Sequence, residues 1–318
     1  MTAILMIILL VVGFTLLVKG ADVFVDGASA IAASLKVPSL IIGLTVVALG
    51  TSLPEAAVSI TAAFNGSNDI ALGNVVGSNL FNLLVVVGLS GLICPLAVQK
   101  SLLHRDIPYS ILIAVVMLGC ILLPSFGTLS RVDGLILLAL FAIFMYYTVT
   151  SALKARQIDE LDAPEMEKRP ISLPRALLMV VIGIGLIVIG AKFAVYSSTE
   201  IARMFGISEN IIGLTLVAFG TSLPELATSI VAARKGESDL SLGNAIGSNI
   251  FNITFVLGAS CALSPIAAPI TAVADAAALI AVTVLFMASV WKKRQVTRLH
   301  GAAMFAVYLA YTVYICIR

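Results

Sequence analysis

The sequence predicts an all-α polytopic membrane protein whose ten transmembrane helices form two inverted-topology repeats of five. Three observations lead to this fold class. Hydrophobic residues make up 60% of the chain and charged residues 11%, apolar runs long enough to cross a bilayer recur along its whole length, and one segment occurs twice. An ordinary globular domain is roughly a quarter charged, so the mean hydropathy of +1.11 excludes a soluble protein. The net charge of +2 is too small to indicate a nucleic-acid partner.

The apolar runs fall into two groups of five, separated by a short polar segment. Residues 1–153 form the predicted first repeat, 154–172 a cytoplasmic linker, and 173–318 the second repeat. The first run lacks the pattern of a cleaved signal peptide, so it is expected to be a retained helix. The predicted spans are 3–33, 39–64, 70–95, 107–124, 132–153, 173–203, 209–233, 240–264, 271–291 and 299–317.

The placement of Lys and Arg predicts the orientation, because cytoplasmic loops carry an excess of both. With the N-terminus outside, the predicted inside loops hold 14 of the 19 Lys and Arg residues. The outside loops and the C-terminus hold Arg131, Arg203 and Arg318. Both termini are therefore predicted to be extracellular or periplasmic.

The internal repeat appears when the sequence is shifted by 170 residues, which aligns it with itself without a gap. Residues 41–60 and 211–230 match at 16 of 20 positions, and GNVVGSNLFN at 73–82 aligns with GNAIGSNIFN at 243–252. The motif regions as a whole are 41–95 and 211–265. Because five helices per repeat is an odd number, the second copy must enter the membrane from the opposite side. Inverted repeats with a site near the bilayer midplane are a transporter architecture.

Glu55 and Glu225 each lie near the middle of an apolar span, at the end of the motif Gly-Thr-Ser-Leu-Pro-Glu. A carboxylate at this depth is costly, so it must face the bundle interior and usually contacts a ligand. A structural carboxyl, protonated or hydrogen-bonded between helices, is the alternative. Two related copies inside the same polar cluster favour an ion site.

Pro54 and Pro224 precede these glutamates, and each is predicted to open the helical turn before it. Carbonyls freed in the turns 48–51 and 218–221 can then point into a cavity, where broken backbone is tolerated in a membrane. Hydroxyls are added by Thr51, Ser52, Thr221 and Ser222. An all-oxygen ligand set suits hard cations such as calcium and sodium.

The second motif carries three polar side chains on one helical face in each copy, since they recur every four residues. Its small residues let helices approach closely. Contact with ions or with the glutamates is favoured for Ser78, Asn82, Ser248 and Asn252. Interhelical hydrogen bonding and ion contact both stay open for the pairs Asn74/Asn244 and Asn79/Asn249.

Two carboxylates among neutral oxygens would neutralise one divalent cation or two sodium ions. Calcium and sodium would then compete for the same carboxylates, which is the physical requirement of an antiporter. Neither this charge count nor the motif spacing sets the stoichiometry.

Both copies of the repeat carry GTSLPE followed by GNxxGSN. With these motifs the chain resembles the sodium/calcium exchanger family of cation/calcium antiporters over essentially its whole length, and it is identified as a compact prokaryotic member. The resemblance implies exchange of sodium for calcium across a bacterial or archaeal inner membrane by alternating access at a midplane site. The second, third, seventh and eighth spans would form the ion-binding core, and the long first and sixth spans would move against it. The implied partners are these ions and the lipid bilayer, with no cofactor, no enzymatic activity and no obligate protein partner.

The resemblance also implies a ligand set. Glu55 and Glu225 would bridge the calcium and flanking sodium sites, and the Thr51 and Thr221 carbonyls would join the calcium shell. The other implied sodium ligands are the Ala48 carbonyl, Ser52, Ser78, the Ala218 carbonyl, Ser222 and Ser248. Many family members carry an aspartate at one of the positions of Asn82 and Asn252. Here both are asparagine, forming a central polar site, which leaves stoichiometry and any potassium requirement open.

A proton-coupled or potassium-dependent calcium antiporter of the same fold is the alternative function. Proton coupling needs carboxylates that change protonation, which buried Glu55 and Glu225 could do, but proton-coupled relatives carry a glutamate inside the second motif. An intramembrane protease would need paired aspartates or a serine with a general base, and the two histidines, His104 and His300, lie far from the glutamates in sequence. Conduction independent of any coupling ion would reveal a passive channel instead.

Asp22 and Asp26 interrupt the first span. They mark either a path for ions beside the moving helix or, as we favour, an interfacial helix end or interhelical hydrogen bond. The four cysteines, Cys94, Cys120, Cys261 and Cys316, form no CxxC pair and are expected to be small buried apolar side chains.

Overall fold

The computed structural model describes residues 3–66, 68–123, 127–162, 171–206 and 218–317. The helices in these ranges are α1 (Ala3–Leu35), α2 (Ser39–Thr51), α3 (Leu53–Phe64), α4 (residues 68–93), α5 (Leu102–Leu122), α6 (Arg131–Asp162), α7 (Leu173–Met204), α8 (Ala218–Thr221), α9 (Leu223–Arg234), α10 (Ser238–Leu263), α11 (Ile270–Val290) and α12 (Arg298–Ile317). The strands are β1 (Leu96–Ala97), β2 (Thr128–Leu129), β3 (Ile266–Ala267) and β4 (Gln295–Val296).

The predicted helical membrane protein is confirmed at the level of its class. Within the described ranges, 7 helices are long and apolar enough to cross a membrane, or 8 if α2 and α3 form one bent span. The predicted span 209–233 is described only from residue 218, and its first residues lie outside the described part. Helix α5 begins earlier than predicted, and α6 continues to Asp162, into the segment predicted as the linker.

Helices α2 and α3 meet at a break of 50°, inside what the sequence predicts as one span. The break falls at Ser52, and Pro54 lies in the first turn of α3, where its missing N–H has no intrahelical partner to lose. Ser222 and Pro224 repeat this arrangement between α8 and α9. Both breaks therefore place a glutamate in the first turn of a new helix, where free backbone N–H groups and the helix dipole favour negative charge.

Two π-helical turns interrupt the helices that carry the second motif. They span Asn82–Val86 in α4 and Asn252–Leu257 in α10. Each begins at the asparagine of the predicted central polar site. Such turns appear frequently at functional sites, and nothing in the residue pattern predicted them.

Helices α1 and α7 are antiparallel and pack along their length through a seam of glycines. A Cβ added at Gly183 would lie 2.7 Å from the Cα of Phe24, and one at Gly190 would lie 2.6 Å from the backbone nitrogen of Leu17. Gly13 and Gly20 make equally close approaches from α1. The backbones can come this close only because these positions lack side chains, as in other membrane helix pairs.

Two short antiparallel ribbons tie the halves of the chain together. Strand β1, after α4, pairs with β4, before α12, and strand β2, before α6, pairs with β3, after α10. An all-helical prediction omits these ribbons, since a two-residue strand leaves no readable alternation in a sequence. Each ribbon joins the loop that follows a motif helix to a loop of the other repeat.

Lys235, just after α9, pairs with the two aspartates of α1. Its Nζ lies 2.7 Å from Asp26 Oδ1 and 3.4 Å from Asp22 Oδ1. The aspartates therefore form an interhelical ion pair, which agrees with the structural interpretation of these residues. All three side chains are partly exposed, and a pair of this kind contributes at most about 1 kcal/mol.

Candidate ion-binding site

Glu55 and Glu225 are fully buried, and each is held by a hydroxyl from the other half of the chain. The Ser52 hydroxyl donates to Glu225 Oε1 at 2.8 Å, and the Ser222 hydroxyl donates to Glu55 Oε1 at 2.8 Å. The second carboxylate oxygen of each glutamate has no hydrogen-bond partner among the described residues. Burying a charged oxygen without a partner is costly, so these two atoms are the natural place for a cation.

The hydroxyls of the second motif join the same cluster. Ser222 Oγ lies 3.1 Å from Ser78 Oγ, and Ser248 Oγ lies 3.5 Å from Glu225 Oε1. Both serines are buried. The structure therefore brings together all four serines that the sequence predicts around the glutamates.

The first-motif threonines face the second-motif asparagines across the repeats. The Thr51 hydroxyl donates to Asn244 Oδ1 at 2.9 Å, and the Thr221 hydroxyl donates to Asn74 Oδ1 at 3.4 Å. The threonine hydroxyls therefore bind asparagine side chains. The predicted calcium ligands are the threonine carbonyls, which these hydrogen bonds do not involve.

Asn74 and Asn244 also bind within their own halves. The Asn74 amide donates to the Glu55 carbonyl at 3.3 Å and to Ser59 Oγ at 2.9 Å. The Asn244 amide makes the same bonds, at the same distances, to the Glu225 carbonyl and Ser229. Ser59 and Ser229 were not predicted as part of the site, although they occupy equivalent positions in the matching segments. Both asparagines hold the glutamate backbone in place, so interhelical hydrogen bonding accounts for this pair.

Asn79 and Asn249 form a reciprocal pair across the repeats. The amide of each donates to the backbone carbonyl of the other at 3.1 Å. Asn252 donates to Asn79 Oδ1 at 3.2 Å, whereas neither amide atom of buried Asn82 has a partner in the described part of the chain. Asn79 and Asn249 therefore join the helices, and Asn82 keeps a free oxygen near the centre.

Asn79→Ala is expected to destabilise the protein by about 1 kcal/mol, the size of an interhelical hydrogen bond in a membrane. The substitution removes the donor to the Asn249 carbonyl and the acceptor for Asn252. The measurement is the denaturation midpoint in detergent. Thr150→Ala is the control, because the Thr150 hydroxyl is exposed and bonds only within its own helix. Equal midpoints for both variants would contradict the assignment.

The two backbone carbonyls predicted as sodium ligands, those of Ala48 and Ala218, differ in their surroundings. The Ala48 carbonyl accepts the Ser52 N–H at 3.1 Å, so a cation would have to use its second lone pair. In the other half, the Ser222 N–H goes to the Phe219 carbonyl at 3.2 Å rather than to that of Ala218, the first residue of α8. The two copies of the break are therefore similar but not identical.

The Asn244 side of the site packs closely against α2. Asn244 is fully buried, and a Cβ added at Gly247 would lie 2.8 Å from the Cα of Leu44. Asn74 and Thr221 are partly exposed, and the segment of the second repeat that corresponds to Leu44 lies within residues 207–217, outside the described part of the chain.

The electrostatics of the cluster favour a hard cation. In the described ranges, no Lys, Arg or His forms an ion pair with Glu55 or Glu225. The same ranges contain no group of three or more His, Cys, Asp or Glu side chains placed to hold a metal ion. Two uncompensated carboxylates among hydroxyls, amides and carbonyls provide the oxygen donors that sodium and calcium prefer.

Comparison with known families agrees with this chemistry. A profile of the sodium/calcium exchanger protein family matches residues 5–150 and 175–317. The chain belongs to the sodium/calcium exchanger family. The family predicted from the repeated motifs is therefore confirmed, and this exchanger-family chain is a multi-pass membrane antiporter for calcium and sodium. The family is one of exchangers rather than of catalytic enzymes.

Three bacterial and archaeal proteins match this exchanger-family chain over most of its length. It is 39% identical to the putative antiporter CaxA of Alkalimonas amylolytica over 96% of both chains. It is 39% identical to the inner membrane protein YrbG of Escherichia coli, over 90% of this chain and 88% of YrbG. The sodium/calcium exchanger MaX1 of Methanosarcina acetivorans is 32% identical over 96% of this chain and 97% of its own.

A solved structure resembles this exchanger-family chain over nearly its whole length. The sodium-calcium exchanger NCX_Mj, soaked with zero Na+ and Ca2+, superposes with a TM-score of 0.85 and 32% sequence identity. The match covers 99% of this chain and 100% of the other. The two proteins therefore share one fold.

Proposed function

We propose that this protein exchanges sodium ions for calcium as a secondary-active antiporter, by alternating access to one site near the bilayer midplane. The observation that carries the proposal is the crossed pair of hydrogen bonds, Ser52 to Glu225 and Ser222 to Glu55. It joins both carboxylates in one buried cluster and leaves one oxygen of each without a partner. A single divalent ion and a pair of sodium ions neutralise this cluster equally well.

The proposed calcium ligands are the carboxylates of Glu55 and Glu225 with the carbonyls of Thr51 and Thr221. The proposed sodium ligands are the same carboxylates with the Ala48 and Ala218 carbonyls and the hydroxyls of Ser52, Ser78, Ser222 and Ser248. Asn82 and Asn252 complete the centre. No resident cofactor is part of this proposal, since calcium and sodium are the transported substrates.

Ten helices in two inverted halves, with both termini outside the cytoplasm of a bacterial or archaeal cell, form the proposed topology. The 170-residue repeat and the Lys and Arg placement support it. Alternating access is supported by the inverted repeat, because inverted halves can exchange their roles when the molecule changes state.

Calcium-45 flux in proteoliposomes tests the function, with sodium, potassium and proton gradients imposed separately. Calcium uptake is expected to follow an outward sodium gradient and to be unaffected by the other two. Calcium movement that ignored sodium and followed the pH gradient would replace this proposal with a proton-coupled antiporter. Movement without any coupling ion would indicate a channel.

A further inference from the structure

We infer that a groove formed by α5, α11 and α12 binds an anionic phospholipid on the side predicted to be cytoplasmic. The groove contains a cavity of ≈ 780 Å³, lined in part by Ile111, Met287, Trp291, Lys292, Lys293 and His300. Its volume falls within the range of ligand pockets, roughly 300–1,000 Å³. The groove lies outside the site of the two glutamates, and none of its residues takes part in the proposed exchange.

The groove has an apolar part and a basic part. A second cavity of ≈ 160 Å³ shares Ser289 and His300 with the first and is otherwise lined by apolar side chains such as Leu84, Phe286 and Met304. Lys292 and Lys293 line the first cavity only, and both are exposed. This polarity matches a phospholipid, with its acyl chain among the apolar side chains and its phosphate at the lysines.

The basic part carries positive charge without a counterion in the protein. In the described ranges, neither Lys292 nor Lys293 forms an ion pair, and the residues that line the two cavities include no Asp or Glu. Basic pockets between transmembrane helices on the cytoplasmic side are a recognised type of site for anionic lipid head groups.

His300 is positioned to add a neutral hydrogen-bond donor. Its ring Nδ1 accepts a hydrogen bond from the Thr297 backbone N–H at 3.3 Å, and the His300 backbone N–H donates to Thr297 Oγ1 at 3.3 Å. With Nδ1 accepting, the proton of the neutral ring lies on Nε2. The helix cap therefore fixes the ring in the groove, and its Nε2–H, which has no hydrogen-bond partner among the described residues, can donate to a phosphate oxygen.

The excess of positive charge on cytoplasmic loops explains lysines in this loop but not the groove around them. The start of α6 can be compared with the start of α12. Helix α6 begins with the same kind of reciprocal cap, between Ser130 and Asp133. That cap has an acid where α12 has a histidine, and residues 123–127 before it are uncharged. The cluster of basic residues is therefore a feature of the loop before α12 and not a property of the repeat.

Trp291 allows a direct test, because it is the only tryptophan in the chain and lines the groove. The full chain is reconstituted into phosphatidylcholine vesicles that contain equal mole fractions of either brominated phosphatidylglycerol or brominated phosphatidylcholine. Bromine quenches tryptophan fluorescence on contact. We expect phosphatidylglycerol to quench Trp291 more strongly, and Lys292→Gln with Lys293→Gln to lower that preference by about fivefold per lysine.

The control is the double variant Lys36→Gln with Lys154→Gln, which removes the same charge from the same predicted side at residues that line neither cavity. This control is expected to keep the wild-type preference. Equal quenching by both lipids, or a preference lost equally in both double variants, would overturn the inference. Trp291 shielded from both lipids in a dimeric chain would also overturn it and assign the groove to a second copy. None of these readouts depends on transport, so failure here leaves the proposed exchange untouched.

Discussion

Replacing Glu55 or Glu225 with glutamine is expected to abolish sodium-dependent calcium uptake while membrane insertion stays intact. Each substitution removes half of the negative charge of the cluster and turns an oxygen without a partner into an amide that can present N–H groups to the cation. At about 4 Å and an effective dielectric constant of about 20, one lost charge weakens the binding of a monovalent cation by roughly 4 kcal/mol and that of a divalent cation by about twice as much. A loss of roughly 4 kcal/mol lowers affinity by about a thousandfold.

Calcium-45 flux into proteoliposomes measures this effect, with expression level and detergent monodispersity as checks on folding. Asp133→Asn is the matched control. Asp133 is also a buried carboxylate near a helix end, but it caps α6 and lies outside the cluster. That variant is expected to keep sodium-dependent uptake. Normal exchange in both Glu55→Gln and Glu225→Gln would refute the assignment of the site.

Gly183→Leu is expected to cause the largest loss of stability among changes away from the site. The new side chain would begin 2.7 Å from the Phe24 backbone, and it could fit only if α1 and α7 separated along their seam. Overpacking of this kind costs about 1–3 kcal/mol and sometimes more. Because the first and sixth spans are predicted to move against the core as a pair, their separation is also expected to slow exchange.

Gly185→Leu provides a control on the same helix. Gly185 is exposed, and an added Cβ would meet no described heavy atom within 4 Å. This variant is expected to unfold near the wild-type temperature, whereas Gly183→Leu unfolds lower or elutes as aggregate. The two are compared by thermal unfolding and gel filtration in the same detergent. Similar melting for both would show that the seam does not limit stability.

The sequence predicted the members of the cluster well, because their chemistry is unusual at membrane depth. A glutamate inside an apolar span has few explanations, and the repeat supplied a second example of each serine and threonine. The crossed hydrogen bonds between the two halves could not be predicted from the sequence. The same motif occurs in both halves, so the position of Ser52 in the sequence does not indicate whether it binds Glu55 or Glu225. Only the packing of the two halves against each other decides between the two glutamates.

Other features escaped prediction for different physical reasons. Asn79 and Asn249 bond to backbone carbonyls, which every residue carries, so no particular partner residue marks the contact. The turn that begins at Asn82 adds one residue to a helix without changing its apolar pattern.

The crossed hydrogen bonds have a consequence for the synthesis of the protein. Glu55 and Ser222 are 167 residues apart, and Ser52 and Glu225 are 173 apart. At a ribosomal rate of about 5–20 residues per second, Glu55 is made roughly 8–33 s before Ser222. Helices and small hairpins form within microseconds. The Glu55 carboxylate of a nascent chain is therefore made long before its serine partner, and the ion site can be completed only after the motif helices of the second half are made.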